Sequence, residues 1–198
     1  MRTMTGPPDL SSIVGSLASS RRLTLRTDLA EPGWTFWELR TLNMHRVVGL
    51  LTGDREFDDA RQLEAAIRGA VSRHFKRAWW RGMAYGAVVQ AGAISLGADD
   101  LKRLVDVREN AQGTLQWVIL VSSHAPVALG VHTWMEAYLS PVYRGALQAL
   151  TAHAYRVASA TKEKDGLMKF LTGVADLDVA LGSLGTRRKA FPEFRDRP

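Results

Sequence analysis

The sequence predicts a single α+β domain, or an α/β domain, in which helices cover a mixed β-sheet of about four to five strands. Apolar residues make up 46% and charged residues 23% of the 198-residue chain, which is ordinary globular composition. From residue 57 onward, segments with helical periodicity alternate with segments of strand character. We therefore expect one globular domain over residues 21–184. Residues 1–20 are predicted to be an N-terminal arm with a short helix, and residues 185–198 a basic C-terminal tail.

Strands are predicted where β-branched and aromatic residues cluster between turn signals. The clearest is 114–122, whose unbroken apolar core is typical of a central strand buried on both faces. Residues 23–27 and 34–51 together are predicted to form a hairpin or two strands, with the second run bent or broken near Asn43. The other predicted strands lie at residues 79–91, 114–122 and 155–161.

Helices are predicted from apolar residues that recur every three or four positions. The clearest spans 57–75, where Leu63, Ile67 and Val71 share one stripe and Glu64 stands one turn before Arg68. The other predicted helices lie at residues 9–19, at 99–111, in two consecutive segments after residue 133 with a bend at Pro141, and within 167–181.

Composition excludes several function classes. The chain has no cysteine, which rules out disulfide scaffolds, cysteine-ligated zinc or iron–sulfur sites and thiol catalysis. A reducing compartment fits this composition, and we expect a cytoplasmic protein. Residues 1–20 lack the apolar core of a signal peptide, and the two long uncharged stretches, 82–98 and 110–135, are broken by glycine or polar residues, so no membrane span is expected. No nucleotide or metal motif occurs, and no cofactor is predicted.

The charge of the chain is locally concentrated. Lysine and arginine number 26 against 20 aspartate and glutamate residues, for a net charge of +6. Residues 65–98 contain five basic residues and no acidic one, and residues 185–198 contain five basic and two acidic residues. These two segments are where an anionic partner is expected to bind.

Residues 73–81 mix cations with aromatic rings, as expected of a surface that neutralises phosphates and stacks on bases. We therefore predict a non-enzymatic binding protein for an anionic partner, with nucleic acid the first candidate. The competing interpretation of residues 73–81 is an ordinary helix end, whose basic residues complement the helix dipole. For residues 185–198 it is a solvated tail. The predicted contacts are Arg68, Arg73, Lys76, Arg77, Trp79, Trp80 and Arg81, together with Arg187, Arg188 and Lys189 of the tail.

Two other function classes stay open. The six tryptophans and the tail suggest a subunit of a larger protein assembly, including a homo-oligomer, that docks through exposed indole rings. Residues 93–97 (AISLG) differ by one residue from the G-x-S-x-G turn, which would make Ser95 the nucleophile of a small serine hydrolase. His124 and His132 flank a loop, and Glu136 follows His132 by four residues, a spacing that can direct those two groups to one ion. No third protein ligand of recognisable spacing accompanies this pair, so no metal ligand is assigned.

Overall fold

The computed structural model describes residues 9–76, 81–92, 96, 100, 104, 113–123, 128–132 and 138–161, with side chains through Ala152. These residues form one mixed sheet with helices packed on both faces. The elements in chain order are α1 (Leu10–Ser20), β1 (Thr24–Leu25), β2 (Trp34–Arg40), β3 (Met44–Leu51), α2 (Ala60–His74), β4 (Gly82–Ala91), β5 (Thr114–Ser122), β6 (Ala128–His132) and α3 (Ser140–Thr161).

The sheet has six strands in the order of the sequence, β1 to β6. Strands β3, β4 and β5 are parallel to one another, whereas β1–β2, β2–β3 and β5–β6 are antiparallel pairs. This arrangement confirms the predicted α+β class with a mixed sheet, with more strands than the four to five expected.

Helix α2 connects the parallel strands β3 and β4 and covers one face of the sheet. It begins after Asp59, whose side chain accepts a hydrogen bond of 2.8 Å from the Gln62 N–H. Its predicted apolar stripe of Leu63, Ile67 and Val71 is buried against this face. The helix ends at His74 because Phe75 adopts an extended conformation.

The opposite face of the sheet is covered by α1 and α3. Val14 and Ala18 of α1 and Val142 and Ala146 of α3 are buried in the same apolar cluster as Trp117 of β5. None of the helices within the described ranges has the length and apolar character that a membrane span requires.

Two predictions for the C-terminal half need correction. Residues 155–161 form the last part of helix α3 instead of a strand, because no glycine or proline interrupts residues 146–161 and extending a helix is easier than nucleating a new element. The sixth strand, β6, was not expected, because five residues carry too little periodicity to separate a strand from a loop.

Three predicted segments lie mostly or wholly outside the described residues. They are the helix 99–111, the helices within 167–181 and the tail 185–198. Of the first, Leu104 is described and is buried on the α2 side.

Gly86 of β4 lies directly opposite Trp117 of β5. The β4–β5 register shifts between Tyr85 and Gly86, and the indole ring of the buried Trp117 covers the Gly86 Cα. A Cβ at this position would overlap the ring. The residue must therefore be glycine for Trp117 to fill the core on this face.

We expect Gly86→Ala to lower the free energy of unfolding by about 3 kcal/mol, because the added methyl group displaces a buried tryptophan. Urea unfolding followed by circular dichroism measures this change. Gly69→Ala in α2 is the matched control, since its Cβ would lie 3.3 Å from the Nη1 atom of the flexible Arg73 side chain. This control should be neutral or stabilise the protein by up to about 1 kcal/mol. Equal stability of the two variants would contradict the packing argument.

Candidate functional site

One end of the sheet gathers basic residues from separate parts of the chain. Here β2 ends at Arg40, opposite His45, and β3 begins at Met44, beside the first residue of β4, Gly82. We use the term basic end for the group Arg21, Arg22, Arg40, Arg46, Lys76 and Arg81.

The turn between β2 and β3 is fastened to the start of β4. Within the turn, the Thr41 N–H donates to the Met44 carbonyl oxygen at 2.9 Å. Arg81 Nε donates to the Leu42 carbonyl oxygen at 3.4 Å, and the Gly82 N–H donates to that of Asn43 at 3.1 Å. These bonds place Arg81 directly beside the turn.

The end of α1 reaches the same place on the other face of the sheet. The Arg46 guanidinium lies 4.6 Å from the centroid of the Tyr138 ring, a cation–π contact. The Tyr138 hydroxyl in turn donates to the Arg21 carbonyl oxygen at 2.7 Å. Arg21 and the exposed Arg22 that follows it are therefore held near Arg46.

Glu38 supplies a carboxylate inside this group of cations. Its side chain is only 13% exposed and accepts hydrogen bonds from Arg26, from Arg40 Nε at 3.2 Å and from His45 Nε2 at 2.9 Å. Burial opposes its ionisation, but the hydrogen bond from His45 and the charges of Arg40 and Arg26 outweigh that effect and hold the pKa of Glu38 below its usual value. The carboxylate is therefore ionised, and its charge is compensated by its own neighbours.

His45 is buried beneath the basic end. Its ring centroid lies 5.5 Å from that of Phe75, in an edge-to-face arrangement. Burial lowers the pKa of His45, and the charges of Arg40 and Arg81 lower it further, against the opposing effect of Glu38. The ring is therefore neutral at pH 7, and its Nε2–H donates to Glu38, because a carboxylate can only accept.

The predicted contacts in α2 are engaged in ion pairs, one within the helix and one with the segment before β2. Arg68 is 12% exposed and pairs with Glu64 one turn earlier. Arg73 forms a two-point ion pair with Glu31, which also accepts a hydrogen bond from His74. In the structure, the Arg68 and Arg73 guanidinium groups are thus each paired with a glutamate of this chain.

Of the other predicted contacts, Lys76 is exposed and Arg81 partly exposed, and both belong to the basic end. Between them lies a segment outside the described residues, as does the tail. The predicted contacts in these two places are Arg77, Trp79, Trp80, Arg187, Arg188 and Lys189.

The alternative functions gain no site from the described residues. Trp34, Trp37 and Trp117 are all buried and offer no docking surface. Ser95, His124 and Glu136 lie outside the described residues, whereas the His132 ring packs against Tyr143. Within the described part of the chain, no group of three or more metal-ligating side chains occurs.

Sequence reasoning missed the basic residues that follow α1 and those of β2 and β3. Arg40 and Arg46 stand on either side of a short turn that contains Asn43, and a hairpin there necessarily brings them close together. That spacing is the signal that could have identified them. The missed members of the basic end are Arg21, Arg22, Arg40 and Arg46.

The loop at the far end of β3 carries the opposite charge. It spans residues 52–59 and joins β3 to α2. Its acidic residues, which we term the acidic loop, are Asp54, Glu56, Asp58 and Asp59. Because β3 has eight residues, the acidic loop and the basic end stand about 25 Å apart.

We expect the protein to lose stability as the pH falls from about 7 to about 5, because the pKa of His45 is lower in the folded state than the ordinary value of about 6.5. The unfolded chain binds the proton first, so the stabilisation is complete above about pH 6.5 and is lost below it. His45→Gln, which keeps a donor for Glu38 but does not titrate, should flatten this dependence. Urea unfolding at several pH values measures it.

His74→Gln is the matched control for this experiment, since His74 also bonds to a glutamate, Glu31, at 2.9 Å. The contribution of His45 should persist in this variant. A profile that is equally steep in His45→Gln and in the unchanged protein would contradict the assignment of the pH dependence to His45.

Comparison with known proteins found no matching family model, no matching curated protein and no matching solved structure.

Proposed function

We propose that this chain is a binding protein for nucleic acid and that the basic end holds the sugar–phosphate backbone. The observation that carries the proposal is the meeting of cations from four separate segments at one end of the sheet. The acidic group placed among them, Glu38, already has its charge compensated by Arg26 and Arg40, and the neutral His45 ring donates a hydrogen bond to it. A polyanion approaching this end therefore meets an excess of positive charge.

The chemistry of the cations suits phosphate. Five of the six residues of the basic end are arginines, whose planar guanidinium groups donate two parallel hydrogen bonds to phosphate oxygens. Neutralising several phosphates releases condensed counterions, which gives a polyanion an advantage over a single small anion. Several cations in one place therefore favour a repeating phosphate chain as the partner.

The charge separation along β3 favours one orientation of binding. The acidic loop repels a polyanion, while the basic end about 25 Å away attracts it. A nucleic acid strand is therefore directed to the end of the sheet that carries Arg40, Lys76 and Arg81.

The remaining predicted contacts extend the proposal. Lys76 and Arg81 bound the segment that contains Arg77, Trp79 and Trp80, and we propose that these rings add base stacking to the phosphate contacts. The tail cations at 187–189 are proposed as further contacts on their charge alone.

The triple variant Arg40→Ala, Lys76→Ala and Arg81→Ala loses three cations of the basic end. Its dissociation constant for nucleic acid at moderate salt should rise about tenfold or more. The slope of log K against log salt for a single strand should become shallower by about 2, since each phosphate contact contributes about 0.7. Fluorescence anisotropy with labelled single-stranded and duplex oligonucleotides, at several salt concentrations, measures both quantities.

The control removes two exposed arginines at the opposite end of the sheet, Arg55 in the loop between β3 and α2 and Arg61 in the first turn of α2, by Arg55→Ala and Arg61→Ala. Its affinity and salt slope should stay close to those of the unchanged protein. If the triple variant bound as well as this control while both remained folded by circular dichroism, the basic end would not be the binding surface.

A further inference from the structure

Leu42 occupies an unusual position for an apolar residue. It lies at the tip of the β2–β3 turn, and 76% of its surface is exposed. Within the described part of the chain, the other exposed large apolar side chain is Leu25, at 46%. Leu42 thus stands in solvent beside the cations of the basic end.

The turn presents this side chain on a fixed backbone. Thr41 and Met44 are joined by bonds between their main chains and through the Thr41 hydroxyl, at 2.9–3.2 Å. The carbonyl oxygens of Leu42 and Asn43 accept bonds from Arg81 and the Gly82 N–H. A partner that contacts Leu42 therefore meets a surface that is already ordered, which lowers the entropic cost of binding.

The surroundings of Leu42 identify the kind of surface it fits. Arg40 precedes Leu42 by two residues, and Arg81 donates to the Leu42 carbonyl oxygen. An apolar contact and phosphate contacts therefore lie side by side. A single-stranded nucleic acid presents the same pairing, because each unstacked base has an apolar face next to its phosphate.

Other anionic surfaces fit this arrangement less well. The outer surface of a duplex offers phosphates alone, and an apolar side chain reaches its bases only by unstacking them. An anionic membrane offers an apolar interior for Leu42 to enter. However, even a whole myristoyl chain gives only marginal membrane binding, and one leucine buries far less apolar surface.

We propose that Leu42 packs against an unstacked base of a single-stranded nucleic acid, while Arg40, Arg46 and Arg81 hold the phosphates beside it. This proposal rests on the proposed function and adds the class of nucleic acid and the residue that contacts the base. Leu42 is thereby the residue that makes the basic end prefer single strands to duplexes.

The test compares Leu42→Ala, Leu42→Phe and Arg40→Ala in the full chain. Binding is measured by fluorescence anisotropy with two labelled ligands, a single strand of about 20 nucleotides and the duplex of the same sequence. This length exceeds what one site of this class occupies. Sedimentation with vesicles of phosphatidylcholine and phosphatidylglycerol measures membrane binding. Circular dichroism checks that each variant is folded, which we expect for the Leu42 variants because this side chain is exposed.

Leu42→Ala should raise the dissociation constant for the single strand about fivefold through lost apolar contact, and leave the salt slope unchanged. Leu42→Phe should keep or improve the affinity, because a ring stacks on a base. Arg40→Ala should instead reduce the salt slope by about 0.7. Duplex binding should respond little to Leu42→Ala.

Other outcomes overturn the proposal in distinguishable ways. If Leu42→Ala bound the single strand as well as the unchanged protein, Leu42 would not be the residue that contacts the base, while the proposed function would stay in place. An equal loss for duplex would overturn the preference for single strands, and a loss confined to vesicle binding would identify a membrane as the partner. If the unchanged protein bound neither oligonucleotide, the proposed function itself would fail.

Discussion

The parallel pairing of β3 with β4 is the constraint on which the basic end depends. Because two parallel strands begin at the same end of a sheet, the chain must return through α2 to the place where β3 started before β4 can form. That return brings Lys76 and Arg81 to the β2–β3 turn. The turn is then bonded to Arg81 and to the first residue of β4, Gly82, so Leu42 and Arg81 are fixed by the same contacts.

Glu38 shows how the fold tolerates several cations in one place. Its enclosed carboxylate accepts bonds from Arg26, Arg40 and His45, and it does so at the edge of the apolar core on the α2 side. Without that carboxylate, the arginines near His45 would repel one another across a partly buried space where screening is weak. Glu38 therefore makes the cluster of cations compatible with folding, while most of the positive charge still faces solvent.

Much of the fold could be predicted because several elements carry their own local pattern. The apolar stripe of α2 and the unbroken core of β5 each identify an element without reference to the rest of the chain. Strand β6 could not be predicted in this way, because its pairing with β5 is what defines it. Residues 155–161 have strand-like composition, but the helix that precedes them decides their conformation.

The candidate site was only partly predictable because charge was counted along the chain. The acid-free window identified Lys76 and Arg81, whereas Glu38 offset Arg40 and Arg46 in the count. In the fold, the Glu38 carboxylate turns to the α2 side of the sheet and Arg46 to the other side, against Tyr138. Alternation along a strand thus separates charges that are neighbours in sequence.

The distance between the basic end and the acidic loop has a consequence for what the complex would look like from outside. A protein anchored through Arg40 and Arg81 turns Asp54, Glu56 and Asp58 away from the strand. In the proposed orientation, a bound copy would therefore turn a surface of different charge outward from the one that faces the phosphates.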